Sequence, residues 1–258
     1  NPAIEIDEGN AEVEKAYGEY ISHWGEKFWS LRFGKTTPMA ILFNQGGPRM
    51  PLSGPLILSR SADTGAGWTA DAPMTGAEFG VLDLERWNAY AGAGEPDIDD
   101  DEQSEDHIDL YGSAQYIFNE DLTVTAYGYW GSAELDMVEG RQDFDRLALF
   151  GSAFQPSAKW TVGYMTGTDD LPEGGDLDTS GFFGLYERLL SDRWAVYGRY
   201  DHFTRDLMQG GDETLEGPTV GVTWWAQTEV RLTAEGQIID VPNGEDERSL
   251  KTEFLWVF

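Results

Sequence analysis

The sequence predicts an all-β fold, a transmembrane antiparallel up-and-down β-barrel of about 14 strands. Three observations predict it. Apolar and polar residues alternate in thirteen segments of about ten residues, the length a tilted strand needs to cross a bilayer. The connections between segments alternate between tight and long. Tryptophan collects beside the tight ones.

In chain order the segments are 11–23, 27–37, 75–84, 86–95, 106–118, 121–133, 144–155, 159–168, 179–190, 193–205, 216–226, 229–241 and 249–258. Segment 27–37 sets Trp29, Leu31 and Phe33 on one face, because successive side chains of a strand point to opposite sides. The short Ala/Gly-rich pair 75–84 and 86–95 has the faintest alternation. Segment 106–118 presents Ile108, Leu110, Gly112, Ala114 and Tyr116; 144–155 presents Leu147, Leu149, Gly151 and Ala153; 159–168 presents Trp160, Val162 and Tyr164. In 193–205 the apolar face is Trp194, Val196, Gly198 and Tyr200, and in 216–226 it is Val220, Val222 and Trp224. Segment 229–241 sets Val230, Leu232, Ala234, Gly236 and Ile238 against Arg231, Thr233, Glu235 and Gln237. The last sets Leu250, Thr252, Phe254, Trp256 and Phe258 against Lys251, Glu253, Leu255 and Val257.

Six connections are tight: Gly25-Glu26, Glu85-Arg86, Asn119-Glu120, Pro156-Ser157-Ala158, Ser191-Asp192 and Thr228. The others, 38–74, 95–106, 134–143, 169–178, 206–215 and 242–248, are longer and mostly acidic. Short turns at one rim and long loops at the other characterise outer-membrane barrels. Trp24, Trp87, Trp160, Trp194, Trp224 and Trp225 lie near tight turns, and Trp256 lies near the chain end. Indole favours the membrane–water interface, so Trp24, Trp87, Trp160, Trp194, Trp224 and Trp256 are the expected aromatic girdle.

Composition narrows the class further. The formal charge of -30 repels phosphate backbones and disfavours nucleic acid. No stretch approaches the roughly 18–20 apolar residues of a membrane helix. The absence of cysteine is compatible with export and decides nothing alone. With short turns facing the periplasm, the last strand runs inward, and so does 11–23. An even count with an outward first strand then requires one more strand, expected before Asn1. Residues 1–258 read as one barrel domain, N-terminally incomplete. Counting Met39–Phe43 and Leu56–Arg60 as a hidden strand pair gives 16 strands, and omitting 75–84 and 86–95 gives 12.

The terminus Thr252-Glu253-Phe254-Leu255-Trp256-Val257-Phe258 resembles the C-terminal strand of Gram-negative outer-membrane β-barrel porins. The resemblance implies a bacterial outer-membrane location, with Phe254, Trp256 and Phe258 as the signal read by the barrel-assembly machinery. Leu31-Arg32-Phe33-Gly34-Lys35, a long loop and then Gly76-Ala77-Glu78-Phe79-Gly80 loosely resemble the early hairpins of the phosphate-selective porin group. That second likeness implies 16 strands and a homotrimer. Lipid and lipopolysaccharide are the expected surroundings.

Function is expected in the lumen. An Arg or Lys facing lipid near mid-membrane costs about 2–4 kcal/mol. Lys15, Arg32, Arg146, Arg199, Arg231 and Lys251, and less firmly Arg188, are therefore expected to line the pore, with Glu19, Asp109, Asp201, Glu235 and Glu253. Such a wall suits a water-filled channel for passive diffusion of small hydrophilic or anionic solutes. The alternative is a closed barrel for structure, adhesion or partner docking, its lumen filled by Arg–carboxylate pairs. The 38–74 segment, with Pro38, Pro48, Pro51, Pro55 and Pro73 and the apolar runs Ala40–Phe43 and Leu56–Leu58, should fold against the lumen or a neighbouring subunit, or else be a disordered extracellular loop.

Segments 95–106, 134–144, 167–179, 205–218 and 240–248 carry 25 of the 47 Asp and Glu. The densest run, Asp97, Asp99, Asp100, Asp101, Glu102, Glu105 and Asp106, lacks EF-hand spacing and reads as a solvated loop. An acidic rim repels anions that a basic wall attracts, so the sign of selectivity stays open. His23, His107 and His202 follow no metal-ligand spacing, and no nucleophile elbow, phosphate loop or dinucleotide fingerprint occurs. No metal, cofactor or enzymatic activity is expected; an outer-membrane hydrolase using a rim Ser or His is the third-ranked reading.

Overall fold

The computed structural model describes residues 3–7, 10–36, 51–59, 74–83, 86–96, 107–135, 138–171, 174–207, 210–227, 230–242, 244 and 246–256. Fourteen strands form one antiparallel meander in which each pairs with its neighbours in sequence. They are β1 Ala3–Asp7, β2 Asn10–Trp24, β3 Lys27–Thr36, β4 Met74–Leu82, β5 Trp87–Pro96, β6 Asp109–Asn119 and β7 Leu122–Leu135. The second half is β8 Val138–Gln155, β9 Ala158–Asp170, β10 Asp176–Ser191, β11 Trp194–Asp206, β12 Asp212–Gln227, β13 Val230–Ile239 and β14 Glu247–Trp256. One helical turn, α1 Leu56–Ser59, interrupts the longest connection. Among the described residues no ladder joins β1 to β14.

A short strand that the alternation did not mark precedes β2. Ala3–Asp7 pairs antiparallel with residues 10–15 of β2 and, at five residues, is shorter than a membrane-spanning strand. Its alternation rests on Ile4 and Ile6 alone, too short a run to register as a strand. The faint pair became β4 and β5 with nine and ten residues, so the count of 12 does not hold. Leu56–Ser59 is helical, which removes half of the hidden pair that would have made 16. Met39–Phe43 and the Asp97–Asp106 run lie outside the described residues.

Three of the connections expected to be long are short. β7 and β8 are separated only by residues 136–137, β9 and β10 by 171–175, and β11 and β12 by 207–211. These hairpins continue past the membrane-spanning part of the strands. Backbone pairing persists there, whereas apolar/polar alternation stops: the buried inner face carries Gln142, Asp169 and Leu177 and the outer face Asp143, Asp170 and Asp178, so the sequence pattern ends before the strand does. Two of the hairpins repeat one solution, Asp170-Leu171-Pro172-Glu173-Gly174-Gly175-Asp176 and Asp206-Leu207-Met208-Gln209-Gly210-Gly211-Asp212. In each, the leucine N–H donates to the second glycine's carbonyl, and the first glycine N–H donates back to the leucine carbonyl. The glycines have φ of 89° and 109°, and of 83° and 93°, a left-handed backbone that glycine adopts without steric cost.

Burial runs opposite to that of a water-soluble sheet. Val220 is 62% exposed and Val162 56%, while Arg199 is 3% exposed and Arg146 and Asp109 are fully buried. The register carries the two faces across the sheet. Val196, Val222 and Ala234 stand in one row on the outer face, and Arg199, Thr219 and Gln237 in another on the inner face. A belt of exposed apolar side chains around charged, buried ones is stable only against hydrocarbon. This is the architecture of an outer-membrane β-barrel.

Candidate functional site: the inner wall and its strap

Residues 51–59 lie against the inner face of β10–β13 as a strap. Leu56, Ile57 and Leu58 are buried, and a Leu58 N–H to Pro55 carbonyl bond of 2.9 Å closes the short turn. Ile57 packs over Gly181 of β10, where a Cβ would meet the Ile57 side chain. Three wall residues fasten the strap. Glu235 accepts from Leu52 N–H at 2.9 Å and Ser53 Oγ at 2.5 Å. Asp201 accepts from Leu56 N–H at 3.2 Å. Arg199 donates to the carbonyls of Ser53 at 2.5 Å and Gly54 at 2.9 Å, and through Nε to Asp201 at 2.6 Å. Backbone polar groups of a buried loop require partners, and these charged side chains supply them.

Glycine makes two of the wall contacts. Tyr197, Gly221 and Glu235 stand in one row across β11, β12 and β13. The Tyr197 ring lies over Gly221, and its hydroxyl donates to Glu235 at 2.9 Å. Glu78, Gly92 and Tyr111 repeat the device across β4, β5 and β6, with Tyr111 donating to Glu78 at 2.6 Å. A side chain on the middle residue would occupy the ring's position. Replacing Gly221 with Ala should therefore displace Tyr197 and cost about 1–3 kcal/mol, as overpacking does. Urea unfolding of the variant in lipid vesicles, beside Gly198→Ala on the outer face where a Cβ meets nothing, checks the expectation.

Most of the wall's cations are matched by carboxylates. Arg32 reaches Glu19 at 3.0 Å and Glu78 at 3.4 Å; Arg146 reaches Asp169 at 2.6 Å. Arg231 pairs with Glu253 and Arg205 with Glu213, each at 2.5 Å, and Lys159 with Glu187 at 3.7 Å. Asp109 accepts from Tyr129 Oη at 2.5 Å and Ser132 N–H at 3.2 Å. Lys251 stands directly opposite Glu235 on the ladder, at the exposed end of the wall. For Lys15 only the backbone, paired with Ala3, is described. Arg188 departs from the expectation that it lines the pore. Its neighbour Glu187 is buried on the inner face, and Arg188 is exposed on the outer face close to the tight turn. There a long cationic stem can reach interfacial water.

The six tryptophans expected to form a girdle lie toward the short-turn ends of their strands and on the outer face, with Trp24, Trp160, Trp194 and Trp256 exposed. Trp194 stacks on Trp224 with centroids 6.0 Å apart, and Trp160 lies 4.2 Å from Tyr186. Phe254 and Trp256 are exposed on β14, and Phe258 is outside the described residues. The histidines do not converge. His202 is on the outer face, 3.0 Å from Glu216 and stacked on Phe182, whereas His107 lies 3.8 Å from Asp109. His23 is exposed near a tight turn. Among the described residues no group of three His, Cys, Asp or Glu could hold a metal.

Glu78, Tyr111, Tyr197 and Asp169 are not among the residues that the sequence led us to expect on the inner wall. Glu78 was legible in principle, since it stands on alternation opposite Arg32 once β3 and β4 are paired. Asp169 was assigned to a loop that is in fact strand. Between the strap and β13–β14 lies a cavity of about 350 Å³, lined by Ser53, Gly54 and Leu56 on one side and by Gln237, Ile239, Glu247, Arg248, Ser249 and Lys251 on the other.

No protein-family model and no curated protein matches the chain. Solved structures do. A loop-deletion form of OmpT, an outer-membrane protein of Vibrio cholerae, aligns over 97% of this chain and 82% of its own, with a TM-score of 0.71 at 15% identity. A trimer form of OmpT from the same organism aligns over 96% and 78%, with a TM-score of 0.66 at 16% identity. An anion-selective porin from Comamonas acidovorans aligns over 88% and 74%, with a TM-score of 0.65 at 13% identity. At these identities the likeness is one of fold.

Proposed function

We propose that this outer-membrane barrel is a channel for passive diffusion of small hydrophilic solutes, its path running between the strap and the inner face of β13–β14. The observation that carries the reading is the cavity there, which is polar on its strand side, whereas the strap is packed onto β10 and β11. Solutes would meet Gln237, Ser249 and Lys251 on one side and Ser53 and Gly54 on the other. The strap acts in this reading as a constriction, and the matched charges of the remaining wall hold the barrel's shape. The girdle tryptophans anchor both neighbours and lipid at one interface, and Phe254 and Trp256 form part of the signal for the assembly machinery. A homotrimer fits the same reading, given the trimer form of a protein with this fold. No catalytic step is assigned.

One feature favours a second reading, a closed barrel serving structure or partner docking: the wall's Arg–carboxylate pairs and the strap fill much of the interior. Conductance separates the two. The full chain, refolded and added to a planar bilayer, should give stepwise ion currents. Folding would be monitored by heat-dependent gel mobility, and a folded barrel that gives no steps would favour the closed reading.

A further inference from the structure

We infer that Lys251 sets the charge preference of this path and forms a transient site for small oxyanions, carboxylate or phosphate. The inference rests on the channel reading and adds to it the solute class and the residue that selects it. By register, the carboxylate that should neutralise Lys251 is Glu235, its direct cross-strand partner. The strap takes that carboxylate instead. Both Glu235 oxygens accept hydrogen bonds from Leu52, Ser53 and Tyr197, and the side chain is 1% exposed.

The next carboxylates along β14 are also turned elsewhere. Glu253, two residues on, is held by Arg231 at 2.5 Å. Glu247 lines the same cavity but lies four residues away, about 13 Å along a strand. Arg248 lines the cavity too, with Asp246 3.4 Å from its guanidinium. Among the described residues Lys251 makes no ion pair, and it is exposed to the cavity. Ser249 and Gln237, paired on the adjacent inner positions, supply a hydroxyl and an amide beside the ammonium. A cation with two neutral hydrogen-bonding neighbours, lining a cavity of about 350 Å³, suits an oxyanion that binds weakly enough to leave.

The test compares the full chain with Lys251→Arg, Lys251→Gln and Lys251→Glu in a planar bilayer under a KCl gradient. The shift between variants reads Lys251, because the acidic rim acts on all of them alike. The ratio of chloride to potassium permeability should fall about threefold in Lys251→Gln and about tenfold in Lys251→Glu, and hold in Lys251→Arg. Added inorganic phosphate should reduce chloride current in the parent and in Lys251→Arg and lose that effect in Lys251→Gln. Stepwise currents with unchanged permeability ratio and phosphate sensitivity in Lys251→Gln would overturn the inference and leave the channel reading standing. Absence of steps in the folded parent would remove the channel reading and this inference with it. Lys251→Gln, which adds no charge, serves if Lys251→Glu does not fold.

Discussion

Replacing Arg199 with Ala is expected to release the strap and to raise single-channel conductance by roughly twofold or more, with noisier open levels. The guanidinium donates to two strap carbonyls, to Ser53 Oγ at 3.3 Å and to Asp201, all in a buried setting. Its removal leaves Asp201 buried without its cation and the Ser53 and Gly54 carbonyls without their donor. Breaking one partner of a buried pair costs about 3–5 kcal/mol, and here part of that cost can be relieved by the strap leaving the wall. Bilayer recording and urea unfolding in vesicles measure the two consequences. Unchanged conductance together with unchanged stability would show that the strap is held by the packing of Leu56, Ile57 and Leu58 alone. The Arg199→Lys change keeps the charge but not the fork that spans Ser53 and Gly54, so its effect should fall between.

Placing a charge on the other face should be as costly for a different reason. Val220→Arg puts a guanidinium in the row formed by Gly198, Val220 and Gly236, which faces hydrocarbon midway along β12. The expected loss is about 2–4 kcal/mol of folding stability in lipid. The same change at Ser249, on the inner face beside the cavity, should cost less than about 1 kcal/mol, because the new side chain finds water. Urea titration in phospholipid vesicles gives the difference. Equal tolerance at both positions would mean that the outer face does not meet lipid.

The structures with this fold differ from the chain at more than four positions in five, which is itself informative. What a barrel of this kind conserves physically is a period, a belt and a rim. Individual residues are free to vary wherever lipid accepts any apolar group and water accepts any polar one. The fold is accordingly recognisable at identities of 13–16%.

The sequence by itself determined the meander, its thirteen long strands, the face that meets lipid and the tight-turn rim with its tryptophans. All of these follow from alternation and turn chemistry, which are local and are imposed by a solvent that changes from hydrocarbon to water every ten residues or so. It determined equally that Arg199, Asp201 and Glu235 share a face, since parity along a strand is fixed once one neighbour is assigned. Only the tertiary structure decided what those groups touch. The Glu235 carboxylate goes to Ser53, 182 residues away, and not to its ladder partner Lys251. Tyr197 reaches Glu235 only because Gly221 lies between them. Strand ends beyond the membrane and the short strand β1 belong to the same category. Outside the bilayer the outer face no longer has to be apolar, the apolar/polar period that marks a strand disappears, and only hydrogen-bonded pairing with a neighbour still defines it.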